Sequence, residues 1–433
     1  MVKHSDNYQK INLHKTTLTK NNINCIKTIL KIIVLLFLFT TTNTTLYGQK
    51  KCELKSLPDL FKSESTIISD LKKKHFFFVL PYLGFQPATG FSYGAISQYI
   101  FKGNNKNERF SEIYAIVKYS QKKQLLIDVV NNVYLKNNSI LLNGDYRYYI
   151  FTQSNYGLGS DIIPVGNNGD NFDLKQIEQP MNYNYLRLHQ IVSFKIKPNL
   201  YLGGGIHFDG YSKINDKNLD LNNGIITYHF NYSINNNYDT HQYSVLGASL
   251  NTVYDSRNNP INANNGTYIN FNFRVNPSIN KIQMQSAVLL TEFRHFISLS
   301  KSSQQHVLAF WLYGQYVTNG ILPYLNLPAI GWDQRSRLGK GYTQGLFRGN
   351  NLMYFETEYR FPILCSELIS GTVFSSIVTV SDQGRLPLFH TVEPAFGVGL
   401  RVLLDKATKA NIILNFAKGH KSDGYYLNTD ESF

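Results

Sequence analysis

The chain has 433 residues, with 30 Tyr, 28 Phe, 4 Met, 2 Trp and 3 Cys, a formal net charge of +14 and a mean hydropathy of -0.24. This length ordinarily means two or three soluble domains, but one large barrel also fits it, and abundant Tyr, Phe and Gly at near-neutral hydropathy is expected where alternate residues face lipid and water. Residues 1–49 hold six Lys and one Asp, so the remaining surplus is +9: too diffuse to argue for nucleic acid, and suited to anionic lipid head groups or to a weakly basic solvated surface.

At the N-terminus, Lys3, Lys10, Lys15, Lys20, Lys27 and Lys31 precede the apolar run Ile32 to Phe39, and TTTNTTLYGQ leads to a cut expected after Gly48. Residues 1–48 are therefore expected to be a cleaved export signal, since eight apolar residues are too few to span a bilayer as a helix. No lipoprotein box precedes Cys52. Residues 49–75 are expected to form a short polar or weakly helical periplasmic segment, too short for a folded domain. Cys25 leaves with the leader, so Cys52 and Cys365 remain, which excludes a disulfide framework and a Cys-rich metal site. Two unpaired thiols are expected, with a bridge left open because both fall near the periplasmic rim.

From Phe76 to Phe433 the pattern is alternation broken by turn residues, with no stretch of comparable helical period. Strands are predicted at 76–84, 90–102, 110–120, 123–135, 138–150, 182–197, 199–210, 241–255, 266–276, 283–298, 305–318, 350–363, 370–380, 391–404, 409–418 and 423–433. In the ninth, Ile269, Phe271, Phe273 and Val275 oppose Asn270, Asn272 and Arg274; in the fourteenth, Val398, Leu400, Val402 and Leu404 oppose Gly397, Gly399 and Arg401. Long connections at 151–181, 211–240 and 319–349 follow odd strands, and short ones such as KNN and KPN follow even strands, apart from a moderate link at 256–265. This parity is that of an all-β, antiparallel, up-and-down transmembrane barrel of 16 strands with external long loops and both termini inside.

In the twelfth strand Phe355, Thr357, Tyr359 and Phe361 share one face, and Glu356, Glu358 and Arg360 share the other. Such a charged face does not suit a dry core, so it is read as lining a wet lumen. The preceding basic, glycine-rich loop offers Arg335, Arg337, Lys340 and Arg348 as cations able to fold inward. No Walker loop, G-x-S-x-G elbow, H-E-x-x-H or Cys/His metal spacing is present, so no catalytic, cofactor or metal residue is assigned and no enzyme is expected. His207, His295 and His390 read as strand or loop residues, and the glycines at 203–205 as close backbone packing or strand bending.

YDSRNNP at 254–260, NNGTYINFNF at 264–273, GKGY at 339–342, FRGNNLMYFETEYRFP at 347–362, EPAFGVGLRV at 393–402 and the closing GYYLNTDESF together resemble the barrel of the bacterial surface antigen family, the BamA/TamA superfamily. The resemblance covers residues 76–433. It implies a 16-stranded outer-membrane barrel with the sixth external loop folded into the lumen. Its Arg-Gly-Phe/Tyr tip corresponds here to Lys340, Gly341 and Tyr342, facing luminal partners Glu356, Glu358 and Arg360, and the terminal strand signal corresponds to Tyr425, Leu427 and Phe433. It also implies a role in outer-membrane protein assembly or polypeptide translocation. The expected partners are outer-membrane lipids, unfolded outer-membrane clients and assembly lipoproteins, and no nucleic acid. Three departures stand beside it: the tip cation is Lys340, the family's acidic position on strand thirteen aligns with Ser376, and no periplasmic recognition domain precedes the barrel. A channel or structural barrel without insertase activity is the alternative.

Overall fold

The structure, a computed structural model, describes residues 53–61, 74–86, 89–103, 105, 107–161, 173–279, 283–301, 303–382 and 386–429. The expected leader at residues 1–48, Cys25, Cys52 and Phe433 lie outside these residues. Sixteen strands run in chain order: β1 (His75–Gln86), β2 (Gly90–Phe101), β3 (Ser111–Ser120), β4 (Leu125–Leu135), β5 (Ile140–Asn155), β6 (Gln179–Lys197), β7 (Leu200–Asp216) and β8 (Tyr243–Asp255), followed by β9 (Gly266–Asn276), β10 (Ser286–Ser298), β11 (Val307–Gly320), β12 (Asn351–Pro362), β13 (Ile369–Ser381), β14 (Glu393–Leu403), β15 (Asn411–Gly419) and β16 (Ser422–Asn428). Each pairs antiparallel with the next in one sheet, so the 16-stranded up-and-down architecture expected from the alternation is the one observed. β1 and β16 lie beside each other, yet among the described residues no hydrogen-bonded ladder joins them.

The alternation sets the two faces. Phe271, Phe273, Val398 and Leu400 are 42 to 54% exposed and point outward, as a lipid-facing wall requires. Arg274 and Arg401, on the opposite faces of the same strands, are buried inside. The short turns use residues that tolerate left-handed backbone: Lys136, Asn137 and Asn138 have φ of 48, 58 and 64°, and Asn199 has φ 63°. The glycine run of β7 lets strands approach closely, since a Cβ on Gly203 would stand 2.1 Å from the Val192 carbonyl oxygen.

Three sequence expectations need correction. An α-helix, α1 (Tyr228–Asn235), stands in the long β7–β8 connection; it is capped by Thr227, whose side chain accepts from the Phe230 amide, and it buries His229, Tyr232 and Ser233. That period is helical, but eight residues are too few to stand out in sequence. Cys365 is disulfide-bonded, not an unpaired thiol. The inward face of β12 is not wet: Glu356, Glu358 and Arg360 are each 0% exposed, because loop residues and neighbouring strands cover them.

The moderate 256–265 link now has a cause. It folds across the short-turn end of the barrel, where Asn259 Nδ2 donates to the Thr408 carbonyl at 2.9 Å and Asn262 Nδ2 to the Lys409 carbonyl at 3.2 Å. From the β2–β3 turn, Arg109 donates to the Asp255 carbonyl at 2.6 Å. Asp255 in turn receives Arg257 at 2.9 Å and the Tyr134 hydroxyl at 2.9 Å. These contacts draw three turns together over the mouth.

Candidate functional site in the barrel lumen

The loop between β11 and β12 enters the barrel from the long-loop end. Its return is fixed by Arg348, 1% exposed, whose Nη1 donates to the carbonyls of Tyr324 (3.1 Å) and Leu325 (3.0 Å) while the guanidinium lies over the Tyr324 ring. Arg348 therefore serves the loop's own backbone and does not meet the strand carboxylates. Of the other loop cations, Arg335 reaches Glu112 on β3 at 2.7 Å. Trp332 packs among Tyr149, Phe151 and Tyr185.

Lys340 is the loop cation that meets β12. Its Nζ lies 2.6 Å from Glu356 Oε1 and 3.3 Å from Glu358 Oε1, and 4.1 Å from the centroid of Phe374 on β13. Gly339 and Gly341 flank it with φ of 83 and 92°, backbone that a side chain would strain. Gly341 has a second constraint, because a Cβ there would stand 2.9 Å from the Gly419 nitrogen on β15. Glu358 Oε2 also receives Arg360 at 2.8 Å and Arg401 of β14 at 3.1 Å. The Tyr354 hydroxyl donates to Glu356, and Ser376 stands opposite Glu356 in the β12–β13 register. The charge that the family pattern puts on strand thirteen is absent here, and both acids of this cluster sit on β12.

The tip then reaches the last strands. The Gly341 amide donates to the Tyr426 hydroxyl of β16 at 2.9 Å. The Tyr342 hydroxyl donates to the Pro394 carbonyl at 2.5 Å and accepts from the His420 amide at 3.2 Å. Tyr425 faces outward and is 51% exposed, while Leu427 packs against Tyr82, Ile96 and Tyr114 of the first three strands, bridging the unladdered seam. Sequence reading did not single out Arg401 or Tyr426. Arg401 carried a usable signal, a cation on the inward parity of an otherwise apolar and glycine strand; Tyr426 carried none beyond its place in an aromatic terminus.

Beneath the loop is a cavity of about 260 Å³ lined by Arg187, His189, Asp209, Arg274, Asp333 and Arg335 among others. Its charges are paired: Asp209 receives the Tyr185 hydroxyl at 2.7 Å, Arg187 at 2.9 Å, His189 at 2.9 Å and Arg274 at 3.1 Å. His207 contacts Ser249 Oγ at 2.7 Å and His295 contacts Thr267 Oγ1 at 2.9 Å. Among the described residues no group of three or more His, Cys, Asp or Glu could hold a metal ion. The chemistry of this site is positional: it holds a loop against strands.

Asp333, in the loop itself, organises the turn by accepting the amides of Arg337 at 3.1 Å and Leu338 at 2.9 Å. Burial pushes its carboxyl up to about 6 from an ordinary 3.8. A docked loop thus keeps a proton that a released loop loses, so docking is favoured at low pH and weakens as pH rises from 3.8 to about 6. Loop protease sensitivity should increase across that window, and Asp333→Asn should remove this component; an unchanged pH profile in the variant would assign it to other groups.

No protein-family model matches the chain, and no curated protein matches it in sequence. Solved structures do. BamA from Haemophilus ducreyi lacking POTRA domains 1–3 aligns with a TM-score of 0.51 at 13% identity, over 82% of this chain and 69% of that one. The fold is a 16-stranded barrel similar to that of BamA. CdiB from Acinetobacter baumannii aligns with a TM-score of 0.48 at 12% identity, over 83% of this chain and 60% of that one. At 13% identity the likeness to BamA is one of fold alone.

Proposed function

We propose that the chain is an integral outer-membrane barrel of the BamA/TamA superfamily that assembles outer-membrane proteins or translocates polypeptides, exported by a leader at residues 1–48. The observation that carries this reading is the seam: among the described residues β1 and β16 are adjacent without a ladder, and β16 is held from inside where its Tyr426 hydroxyl receives the amide of Gly341 at the loop tip. An unpaired strand edge is a template for an incoming strand, and a client could add to it by β-augmentation. An open channel is less well supported, because the loop fills the lumen from one end and the 256–265 turn crosses the other. Unfolded outer-membrane proteins would be the clients, with lipids and assembly lipoproteins as further partners.

Proteoliposomes containing the refolded chain should accelerate insertion of a urea-unfolded outer-membrane barrel relative to empty liposomes. Equal rates, with ion conductance in planar bilayers instead, would favour the channel. In the topology proposed here the long loops face outside. A tag at Asn222, an exposed loop position, should be labelled on intact cells, and a tag at Asn138 should not. Ile330 is unsuitable as an external tag site, since it is 0% exposed within the inserted loop.

A further inference from the structure

On the outer wall the strand register sets a glycine where the neighbouring strands carry bulk. Tyr148 of β5 pairs with Leu186 of β6, Leu186 with Gly210 of β7, and Gly210 with Ser244 of β8. Two positions toward the short turns, Leu188, Phe208 and Leu246 make a wholly apolar row, with Leu188 and Leu246 45 and 42% exposed. Two positions toward the long loops, the row is Ile150, Asn184 and Ser212. Residues two apart share a face of the sheet, so the wall turns from apolar to polar across Gly210. Tyr148, 42% exposed, is the aromatic expected at such a boundary.

The wall is dented here. A cavity of about 630 Å³ is lined on its apolar side by Leu186, Phe208 and Gly210, and on its polar side by Asn184, Ser212 and the turn of residues 238–242 that leads into β8. The dent exists because Gly210 has no side chain: a Cβ there would stand 3.1 Å from the Phe208 ring. Its size, and its mix of apolar and aromatic lining with a few polar groups, are those of small-molecule sites. The side chains of Asn184, Ser212, Gln242 and Ser244 have no hydrogen-bond partner among the described residues. The charged residue in the lining is Asp239, whose Oδ1 accepts the amides of His241 at 2.7 Å and Gln242 at 3.2 Å.

We propose that this dent binds one lipid of the leaflet at the long-loop end, with an acyl chain against Leu186, Phe208 and Gly210 and a head group bearing hydroxyl and amide groups against Asn184, Ser212 and Gln242. This rests on the outer wall meeting lipid and holds whichever task the barrel performs. Hydrocarbon surrounds the apolar rows, so what fills the dent is drawn from the bilayer. The polar side chains then choose among head groups: amides and hydroxyls both donate and accept, which matches a neutral, hydroxyl-rich head. An anionic phosphate finds no cation in the lining and is repelled by Asp239.

Photo-crosslinking of the refolded full chain in liposomes tests the site. Galactosylceramide and phosphatidylglycerol carry the same diazirine-bearing acyl chain, and mass spectrometry locates the labelled peptides. Residues 184–186, 208–212 and 242–244 should take up the galactosylceramide probe at least about threefold more than the phosphatidylglycerol probe, as a single neutral hydrogen bond implies. The peptide around Phe271 should take up both alike. Gly210→Leu fills the dent, and Ser244→Leu fills it from the next strand; either variant that folds should bring the label there down to the level around Phe271. Equal uptake of the two probes at the dent would overturn the proposal, as would label unchanged in the filled variants. A dent left unlabelled, whether empty or taken by a second copy of the chain, would overturn it too. Label persisting around Phe271 in that case would leave the lipid-facing wall standing, so that the site alone fails.

Discussion

Lys340→Ala is expected to release the inserted loop, at a cost of roughly 3 to 5 kcal/mol in docking free energy, because it leaves a buried carboxylate short of its partner. Surface-pair arithmetic does not apply here: the Lys340 side chain is 3% exposed and those of Glu356 and Glu358 are 0% exposed. The two acids do not respond alike. Glu358 keeps Arg360 and Arg401 when Lys340 is lost, whereas among these cations Glu356 has its contact with Lys340. The charge-exchange partner is thus Glu356: Lys340→Glu with Glu356→Lys should recover part of the loss in loop protease resistance. Lys340→Glu with Glu358→Lys should not, since the new lysine would stand against two arginines. Strict additivity in the Glu356 cycle would show that the two residues do not interact in solution. Lys340→Arg should be tolerated, because the guanidinium can address both carboxylates from one position.

The wall gives a second large effect. Phe271→Arg or Leu400→Arg should lower insertion or folding stability by roughly 2 to 4 kcal/mol where the site lies near the membrane midplane, whereas Asn272→Arg should be close to neutral. Phe271 and Leu400 are each 49% exposed on the outer face. Asn272 points inward, where its Nδ2 contacts Asn251 and lines the cavity. Refolding yields into liposomes measure the difference. Equal tolerance on both faces would remove the case for lipid on the outer wall.

Much of the fold was legible because a barrel writes its geometry as period-two alternation. Ile269 to Val275 and Val398 to Leu404 state which side chains face out, and the loop lengths state which ends are joined. The limits of that signal are physical. β5 and β7 continue to Asn155 and Asp216, well past the predicted ends, because polar and tyrosine residues prolong a ladder beyond the apolar band. Alternation also says which face a residue takes, but not what covers it. Alternation puts Glu356 and Glu358 on one face and suggests a wet lumen, whereas both are buried where a folded loop, Tyr354 and Phe374 exclude water. Lys340 could be singled out through the glycines beside it and the family resemblance. Arg401 shows in the pattern as an inward cation, but its partner Glu358, like the contacts of Asp255, lies on a distant strand and nothing local in the chain encodes it.

The strands differ greatly in length around the barrel, and the inequality bears on what stands outside the membrane. β5, β6 and β7 have 16, 19 and 17 residues. At about 3.4 Å per residue and a tilt of about 40°, β6 covers roughly 50 Å along the membrane normal, against an apolar band of about 25 Å in such barrels. The short turns at 136–139 and 197–200 tie these three strands at one end, so the surplus length rises at the long-loop end. One arc of the wall therefore continues beyond the lipid as a raised sheet, a rigid parapet on one side of the entrance through which the β11–β12 loop descends.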